Sequence, residues 1–178
     1  MPAHFFQIRR AGLHDLAAIE KIQHECYGAD FHEGQDAFAN KIRQAPDYCL
    51  VAECAQGTVL GYFMCLLASA ERFPCLHADD FQCPGDPDIL YLHDMALSAS
   101  ARGRGLRQAF LAAIYRTARQ NQALKDVFLV AVQGAEVVWE REGFQPVNAR
   151  AVGLSASLET YGSSAVLMKK PLQPAVAR

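Results

Sequence analysis

The most constraining feature of the sequence is a short loop that joins an apolar, strand-like segment to an amphipathic helix. The loop reads Arg-Gly-Arg-Gly at residues 102–105, between the apolar run 89–97 and a helical pattern that begins at Leu106. Gly103 and Gly105 lack side chains, so backbone N–H groups can approach an anion, and a helix start adds partial positive charge. Three arginines add full charges: Arg102, Arg104 and Arg107. The sequence therefore predicts a cradle for a pyrophosphate group.

Two common nucleotide motifs with similar loops fit the sequence less well. A P-loop requires Lys followed by Ser or Thr, whereas Leu106 and Arg107 follow the second glycine here. A dinucleotide fingerprint requires a third small residue, where this chain has Gln108. A general nucleotide-binding α/β domain is thus an alternative for which the chain lacks the required lysine or third small residue.

Three segments together resemble the GNAT superfamily of acyl-CoA-dependent N-acetyltransferases: residues 91–97, 102–107 and 135–144. The family's loop pattern is (Gln/Arg)-x-x-Gly-x-(Gly/Ala), and the sequence matches it at Arg102 and Gly105. Arg107 replaces the last small residue, so its side chain must turn outward or touch the phosphates. The resemblance covers nearly the whole chain.

The resemblance implies an α/β fold with a central mixed, mostly antiparallel sheet flanked by helices on both faces. In this family the strand matching 89–97 carries a bulge and splays from the strand matching 127–132, which leaves a slot for the pantetheine arm. Acetyl-CoA or another short acyl-CoA is the implied co-substrate, without a metal. Its expected binding residues are Met95, Ala96, Leu97, Arg102, Gly103, Arg104, Gly105, Leu106, Arg107 and Trp139.

Acyl transfer to an amine requires a proton acceptor and a donor for the developing oxyanion. His93 is the expected general base, directly or through water, because an imidazole pKa of about 6.5 suits neutral pH. Tyr91 lies two residues before it on the same strand face and is expected to orient it or line the acceptor pocket. The backbone N–H of Met95 is the expected oxyanion donor. Asp94 points to the opposite face, where capping of loop amides is favoured, and it becomes a base only if the bulge turns it.

Trp139 stands where many relatives carry a tyrosine that protonates the leaving thiolate. An indole N–H donates a hydrogen bond but supplies no proton at neutral pH. Because a thiol pKa is about 8.5, water can still protonate the thiolate. Trp139 is also interpreted as a large hydrophobe that packs its helix. The departures at Arg107 and Trp139 keep open a rival function, a catalytically weak sensor that binds acyl-CoA without turnover.

Periodicity and turn residues predict the order of the elements. Strands are expected at 5–9, 48–53, 59–67, 89–97, 127–132 and 165–169, and helices at 13–22, around Phe38 and Ile42, at 106–120 and at 135–142. The segments 48–53 and 59–67 form a hairpin, and 69–88, with three prolines, forms a long loop. The strand at 165–169 is expected as an exposed edge, which leaves a homodimer open.

Composition limits the remaining classes. With 178 residues, of which 51% are hydrophobic, the chain is expected to form one domain at 1–170 with a tail at 171–178. A net charge of −2 argues against nucleic acid, and no apolar run approaches the roughly 20 residues of a membrane span. A cytoplasmic location is expected, with the six cysteines reduced. Cys75, His77 and Cys83 lack a convincing fourth ligand, so no metal site is expected.

Two segments, 25–36 and 69–88, are expected to form the wall on the acceptor side. Both are rich in acidic residues: Glu25, Asp30, Glu33, Asp36, Glu71, Asp79, Asp80, Asp86 and Asp88. Aromatic residues accompany them: Tyr27, Phe31, Phe73 and Phe81. An acidic rim with aromatic rings attracts a cationic amine, although charged loops are usually only solvated. The expected acceptor is a small-molecule or peptide amine.

Overall fold

The computed structural model describes residues 6–172, and a seven-stranded sheet runs through the middle of this part of the chain. Its strands are β1 (Gln7–Arg10), β2 (Cys49–Glu53), β3 (Val59–Ala68), β4 (Ile89–Leu97), β5 (Asp126–Ala131), β6 (Gln145–Pro146) and β7 (Val166–Pro171). The helices are α1 (Leu16–Cys26), α2 (Gln35–Gln44), α3 (Leu106–Ala118), α4 (Glu136–Arg141) and α5 (Ser155–Glu159). Short 3-10 turns lie at Leu13–Asp15, Ala29–Phe31 and Ala99–Ala101.

The sheet has the order β1-β2-β3-β4-β5-β7-β6. Every neighbouring pair is antiparallel except β4 and β5, which are parallel because α3 crosses between them. The β2–β3 hairpin turns at Gly57, whose φ of +80° suits glycine. The expected mixed, mostly antiparallel sheet is therefore confirmed.

Helices cover both faces of the sheet, as expected. On one face Ile19 of α1 and Phe38 of α2 pack with Tyr62 and Met64 of β3 in one buried cluster. On the other face the buried side of α3 packs on the larger cluster. Each large apolar side chain buried in this way contributes roughly 1.5–3 kcal/mol. Between residues 6 and 172, no helix is long and apolar enough to cross a membrane.

The last third of the described chain differs from the sequence-based expectation. β7 is not an edge strand, because it pairs with β5 along six residues and with β6 on its other side. The edge strands of the sheet are β1 and β6, so the expected dimer edge at 165–169 was wrong. β7 continues to Pro171, and the Leu172 N–H bonds the Lys125 carbonyl at 2.8 Å, so the fold extends into the expected tail. Residue 5 of the expected first strand and residues 173–178 of the tail lie outside the described residues.

Gly61 in β3 lies opposite Leu97 at the end of β4. A Cβ atom at this position would lie 2.7 Å from the Leu97 side chain and 2.9 Å from the Ala96 carbonyl oxygen, which belongs to the backbone and cannot rotate away. We expect Gly61→Ala to lower the free energy of unfolding by about 1–3 kcal/mol in urea denaturation. Gly85→Ala is the control because no atom lies within 4 Å of its Cβ position. Equal stabilities of the two variants would contradict the clash.

Candidate active site

β4 and β5 pair only over the first half of β4. The parallel register runs from Ile89–Asp126 to Leu92–Leu129 and then ends, although β4 continues to Leu97. At the same point β4 bulges, since Met64 of β3 lies opposite Asp94 while Cys65 lies opposite Leu92. His93 is therefore the extra residue of the bulge. The bulge and the splayed strands implied by the family resemblance are both present.

The backbone of Met95 faces the gap left by β5. The Ser98 N–H bonds the Leu60 carbonyl at 2.9 Å, which fixes the alternation of the β3–β4 ladder so that Ala96 exchanges bonds with β3 and Met95 does not. The Met95 carbonyl, turned toward the gap, accepts the Tyr27 hydroxyl at 2.9 Å. The Met95 N–H lies on the same side, whereas the backbone of Ala96, expected to bind pantetheine, is directed at β3. Leu97 shares the orientation of Met95, and its carbonyl accepts the Cys26 thiol at 3.2 Å.

The separated strands border a cavity of about 240 Å³. Apolar side chains of β3, β4 and β5 form its middle: Phe63, Leu92, Met95, Leu129 and Val130. Arg107, Val138 and Trp139 line one end, beside the glycine loop. Tyr27, Phe31, Glu33, Leu76, His93, Asp94 and Tyr161 line the other. The cavity thus runs from Arg107, just after the glycine loop, to the residues of the expected acceptor site, and residues 102–106 do not line it.

The glycine loop has an open backbone. Gly103 and Gly105 have φ values of +73° and +80°, and no atom lies within 4 Å of either Cβ position. Gly105 caps the start of α3, which has 13 residues, so the first N–H groups of α3 have no partner within the helix. The Leu106 side chain is buried and only its backbone can meet a ligand. These features fit an anion, which would fill the space that side chains would otherwise take.

The side chains of Arg107, Arg102 and Trp139 near the glycine loop all contact other residues of the protein. The Arg107 guanidinium lies 3.1 Å from the Glu142 carboxylate, and Arg107 lines the cavity. An Arg102 Nη lies 3.6 Å from the Cys26 sulfur. Trp139 packs edge-to-face on Phe144 at 5.6 Å between ring centroids and against the main core. The interpretation of Trp139 as a packing hydrophobe therefore agrees with its contacts.

Glu33 is the centre of a buried network beside the cavity. Its carboxylate contacts the Lys41 Nζ at 2.9 Å and the His93 Nε2 at 2.7 Å, and it accepts the His77 backbone N–H at 3.0 Å. The Gln23 side chain holds the Glu33 backbone through two hydrogen bonds. Burial alone would raise the pKa of Glu33, but the charges and hydrogen bonds of His93 and Lys41 outweigh it and lower the pKa. Glu33 is therefore ionised, and the His93 Nε2 donates to it.

His93 lines the cavity, although its side chain is only 1% exposed. Its Nδ1 lies 3.3 Å from the Tyr161 hydroxyl, which in turn lies 2.7 Å from the Tyr91 hydroxyl. Tyr91 is fully buried and does not line the cavity. Its ring packs edge-on against the His93 ring at 5.5 Å between centroids, and its hydroxyl connects to His93 through Tyr161. Burial raises the pKa of Tyr161, which keeps that hydroxyl neutral.

The bulge also turns Asp94 into the cavity, on the same face as Tyr62. The Tyr62 hydroxyl donates to the Asp94 carboxylate at 2.6 Å. The expected capping of loop amides was wrong, since the hydrogen-bond partner is a tyrosine from β3. Burial raises the pKa of Asp94, while the nearby His93 and the tyrosine hydroxyls partly offset that rise.

The acidic rim expected from the sequence does not form at the cavity. Within residues 6–172, Glu33 is the single member of that set that lines it, and Glu33 is buried in ion pairs. Of the expected aromatic residues, Tyr27 and Phe31 line the cavity, whereas Phe73 packs on Tyr91 at 4.4 Å. Loop 69–88 contributes Leu76 instead.

Three chain segments are tied together over the acceptor end. The Leu76 N–H donates to the Thr160 hydroxyl at 2.9 Å, next to Tyr161. His77 donates its N–H to Glu33, and its ring lies 3.1 Å from the Asp30 carbonyl oxygen. Loop 69–88 therefore bridges the segment after α1 and the segment after α5.

Comparison with known proteins identifies the family. The model of the acetyltransferase (GNAT) family matches residues 16–144. Among solved structures, Ard1 from Thermoplasma volcanium has a TM-score of 0.67 at 17% identity, covering 95% of this chain and 99% of its own. Naa50 of Arabidopsis thaliana, in complex with a bisubstrate analogue, has a TM-score of 0.66 at 12% identity, covering 93% and 98%.

A phosphinothricin acetyltransferase from Sinorhizobium meliloti, in complex with acetyl-CoA, has a TM-score of 0.61 at 18% identity, covering 97% of this chain and 94% of its own. At these identities the structures establish the fold alone. None of the curated proteins matches the sequence. The family match, by contrast, spans well over half the chain and includes the glycine loop and Trp139. The chain belongs to the acetyltransferase (GNAT) family.

Proposed function

We propose that this protein transfers an acetyl or other short acyl group from coenzyme A to a primary amine, by direct attack in a ternary complex. The observation that carries the proposal is the Met95 N–H, directed into a cavity that runs from Arg107, at the start of α3, to His93. Acyl-CoA supplies a thioester as the acyl donor. The residues that fit it are the N–H groups at Met95 and Leu97, the open loop at Gly103 and Gly105, and the start of α3.

A fixed backbone donor suits the oxyanion that forms when an amine attacks a thioester carbonyl. The β4 ladder holds the Met95 N–H in place before the reaction, so no rotamer freedom is lost. The proposed proton acceptor is His93 Nδ1, because the Nε2–H is already donated to Glu33. The amine proton passes to Nδ1 directly, through water, or through the Tyr161 hydroxyl, which gives up its own proton as it accepts another.

The leaving thiolate has no tyrosine at position 139. Trp139 lines the cavity and can donate a hydrogen bond, and water supplies the proton. This feature supports the rival proposal, a protein of the same family that binds acyl-CoA without turnover. The two functions differ in whether any amine is acylated.

To test the proposal, the protein is incubated with acetyl-CoA and a panel of aromatic amines, polyamines, amino acids and lysine peptides. Acetylated products are detected by mass spectrometry. We expect at least one acetylated product, and we expect His93→Ala to lower kcat/KM by roughly 100-fold, the effect of losing a general base. His14→Ala is the control, because the His14 side chain is 77% exposed and does not line the cavity. Binding of acetyl-CoA without any product would favour the sensor.

A further inference from the structure

One carboxylate in the cavity is not balanced by an ion pair of its own. Glu33 is paired with Lys41 and His93. Arg107 is paired with Glu142 at the opposite end. Asp94 instead accepts a hydrogen bond from the neutral Tyr62 hydroxyl. A cationic group entering the cavity would therefore find an ionisable carboxylate whose hydrogen-bond partner carries no charge.

The surroundings of Asp94 suit an ammonium group attached to an apolar body. Tyr27, Phe31 and Tyr161 provide aromatic rings at the same end of the cavity, and Leu76 adds an aliphatic wall. Aromatic faces attract cations through their quadrupole and also bury apolar surface. Neither property would favour a polyhydroxylated or anionic acceptor.

No permanently cationic side chain lines the acceptor end among the described residues. Arg107 is the one such group along the cavity, and it lies beside the glycine loop on Glu142. Lys41 is buried against Glu33 and does not line the cavity. The carboxylate of a free amino acid would therefore lose its water on entering this end of the cavity and find no cation to pair with. Burying an unpaired charge in this way is unfavourable.

The acceptor end is also covered by tied chain segments. Loop 69–88 is fixed to Glu33 by the His77 N–H and to Thr160 by the Leu76 N–H. A long peptide would need room between these segments, whereas a small molecule needs only the part of the cavity of about 240 Å³ that the pantetheine arm leaves free. Cavity size and covering together favour a small acceptor.

We propose that Asp94 binds the ammonium group of the acceptor, and that the acceptor is a small, apolar, monocationic primary amine rather than an amino acid or a peptide. This inference rests on the proposed acyl transfer for its biological meaning, but the binding site itself can be measured separately. Asp94 is then a specificity-determining residue, placed in the cavity by the bulge that also positions His93.

The experiment uses three probes that share a benzyl group: 2-phenylethylamine, phenylalanine, and a tetrapeptide with amino-terminal phenylalanine. Binding to the protein saturated with CoA is measured by calorimetry, and acetylation from acetyl-CoA is measured by mass. We expect kcat/KM for 2-phenylethylamine to be roughly 100-fold higher than for phenylalanine. The site offers no cation to the carboxylate of phenylalanine, and burying that charge unpaired is unfavourable. We expect Asp94→Asn to weaken the binding of 2-phenylethylamine by roughly 50-fold, the scale for losing one partner of a buried charge pair.

Asp80→Asn is the matched control, because Asp80 lies in loop 69–88, is exposed, and does not line the cavity. Unchanged amine binding in Asp94→Asn, or a preference for phenylalanine or the tetrapeptide, would overturn the inference while leaving acyl transfer in place. Amine binding that depends on Asp94, without acetylation, would support the site and overturn the proposed function. Absence of both binding and acetylation with every probe would overturn the inference.

Discussion

Glu33→Gln is expected to lower the free energy of unfolding by about 3–5 kcal/mol, the range for removing one partner of a buried ion pair. The Lys41 side chain is only 2% exposed, and its Nζ lies 2.9 Å from the Glu33 carboxylate. A neutral amide leaves that ammonium buried without a counter-charge. The amide also satisfies the Nε2–H of His93 less well than a carboxylate does. Urea denaturation at neutral pH measures the change.

The control for this prediction also removes the buried positive charge of Lys41. Glu33→Gln combined with Lys41→Met is expected to be more stable than Glu33→Gln alone, because a methionine fills similar volume without needing a counter-charge. Asp36→Asn, an exposed substitution in α2, is expected to change stability by no more than about 0.5 kcal/mol. Similar losses in Glu33→Gln and in the double variant would show that Lys41 does not cause the destabilisation.

The dependence of stability on acidic pH provides a second test of the ion pairs of Glu33. Its pKa is lowered in the folded state, since the charges of His93 and Lys41 outweigh the opposing effect of burial. A group with a lowered folded pKa contributes stability that is complete above its ordinary pKa and is lost as the pH falls toward the lowered value. Stability of the wild type is therefore expected to fall more steeply than that of Glu33→Gln as the pH drops below the ordinary range of a glutamate.

The sequence predicts the parts of this fold that depend on local patterns. The bounds of β4 and the start of α3 at Leu106 agree with the expectation, because an apolar run and an Arg-Gly loop mark both without reference to distant residues. β6 and α5 were missed, since two and five residues are too short to show periodicity. α5 matters for the site because Tyr161 follows it closely.

The buried network could not be predicted, because each of its contacts joins distant parts of the chain. Glu33 lies 60 residues from His93 in sequence, and Tyr161 lies 68 residues from it. An acidic residue in a polar segment is usually solvated, and no local pattern distinguishes Glu33 from Asp36. The orientation of Asp94 depends on the bulge, which shifts every residue after it by one position relative to β3.

The backbone at position 95 allows the sharpest test of the proposed chemistry. Replacing Met95 by proline removes the N–H that faces the cavity, and no β3 ladder bond is lost because that N–H does not point at β3. We expect the acyl-transfer kcat to fall by roughly 100- to 1,000-fold, as when one oxyanion donor is removed. Met95→Leu keeps the N–H and is expected to stay close to the wild-type rate.

A second variant separates the lost donor from the strain that a proline ring introduces. Incorporating the α-hydroxy acid analogue of leucine at position 95 replaces the amide by an ester, which removes the N–H without adding a ring. We expect this ester variant to lose as much activity as Met95→Pro while its thermal unfolding stays close to that of Met95→Leu. A wild-type rate in the ester variant would assign the oxyanion to another donor, because the strand geometry at Met95 would be unchanged while its N–H was absent.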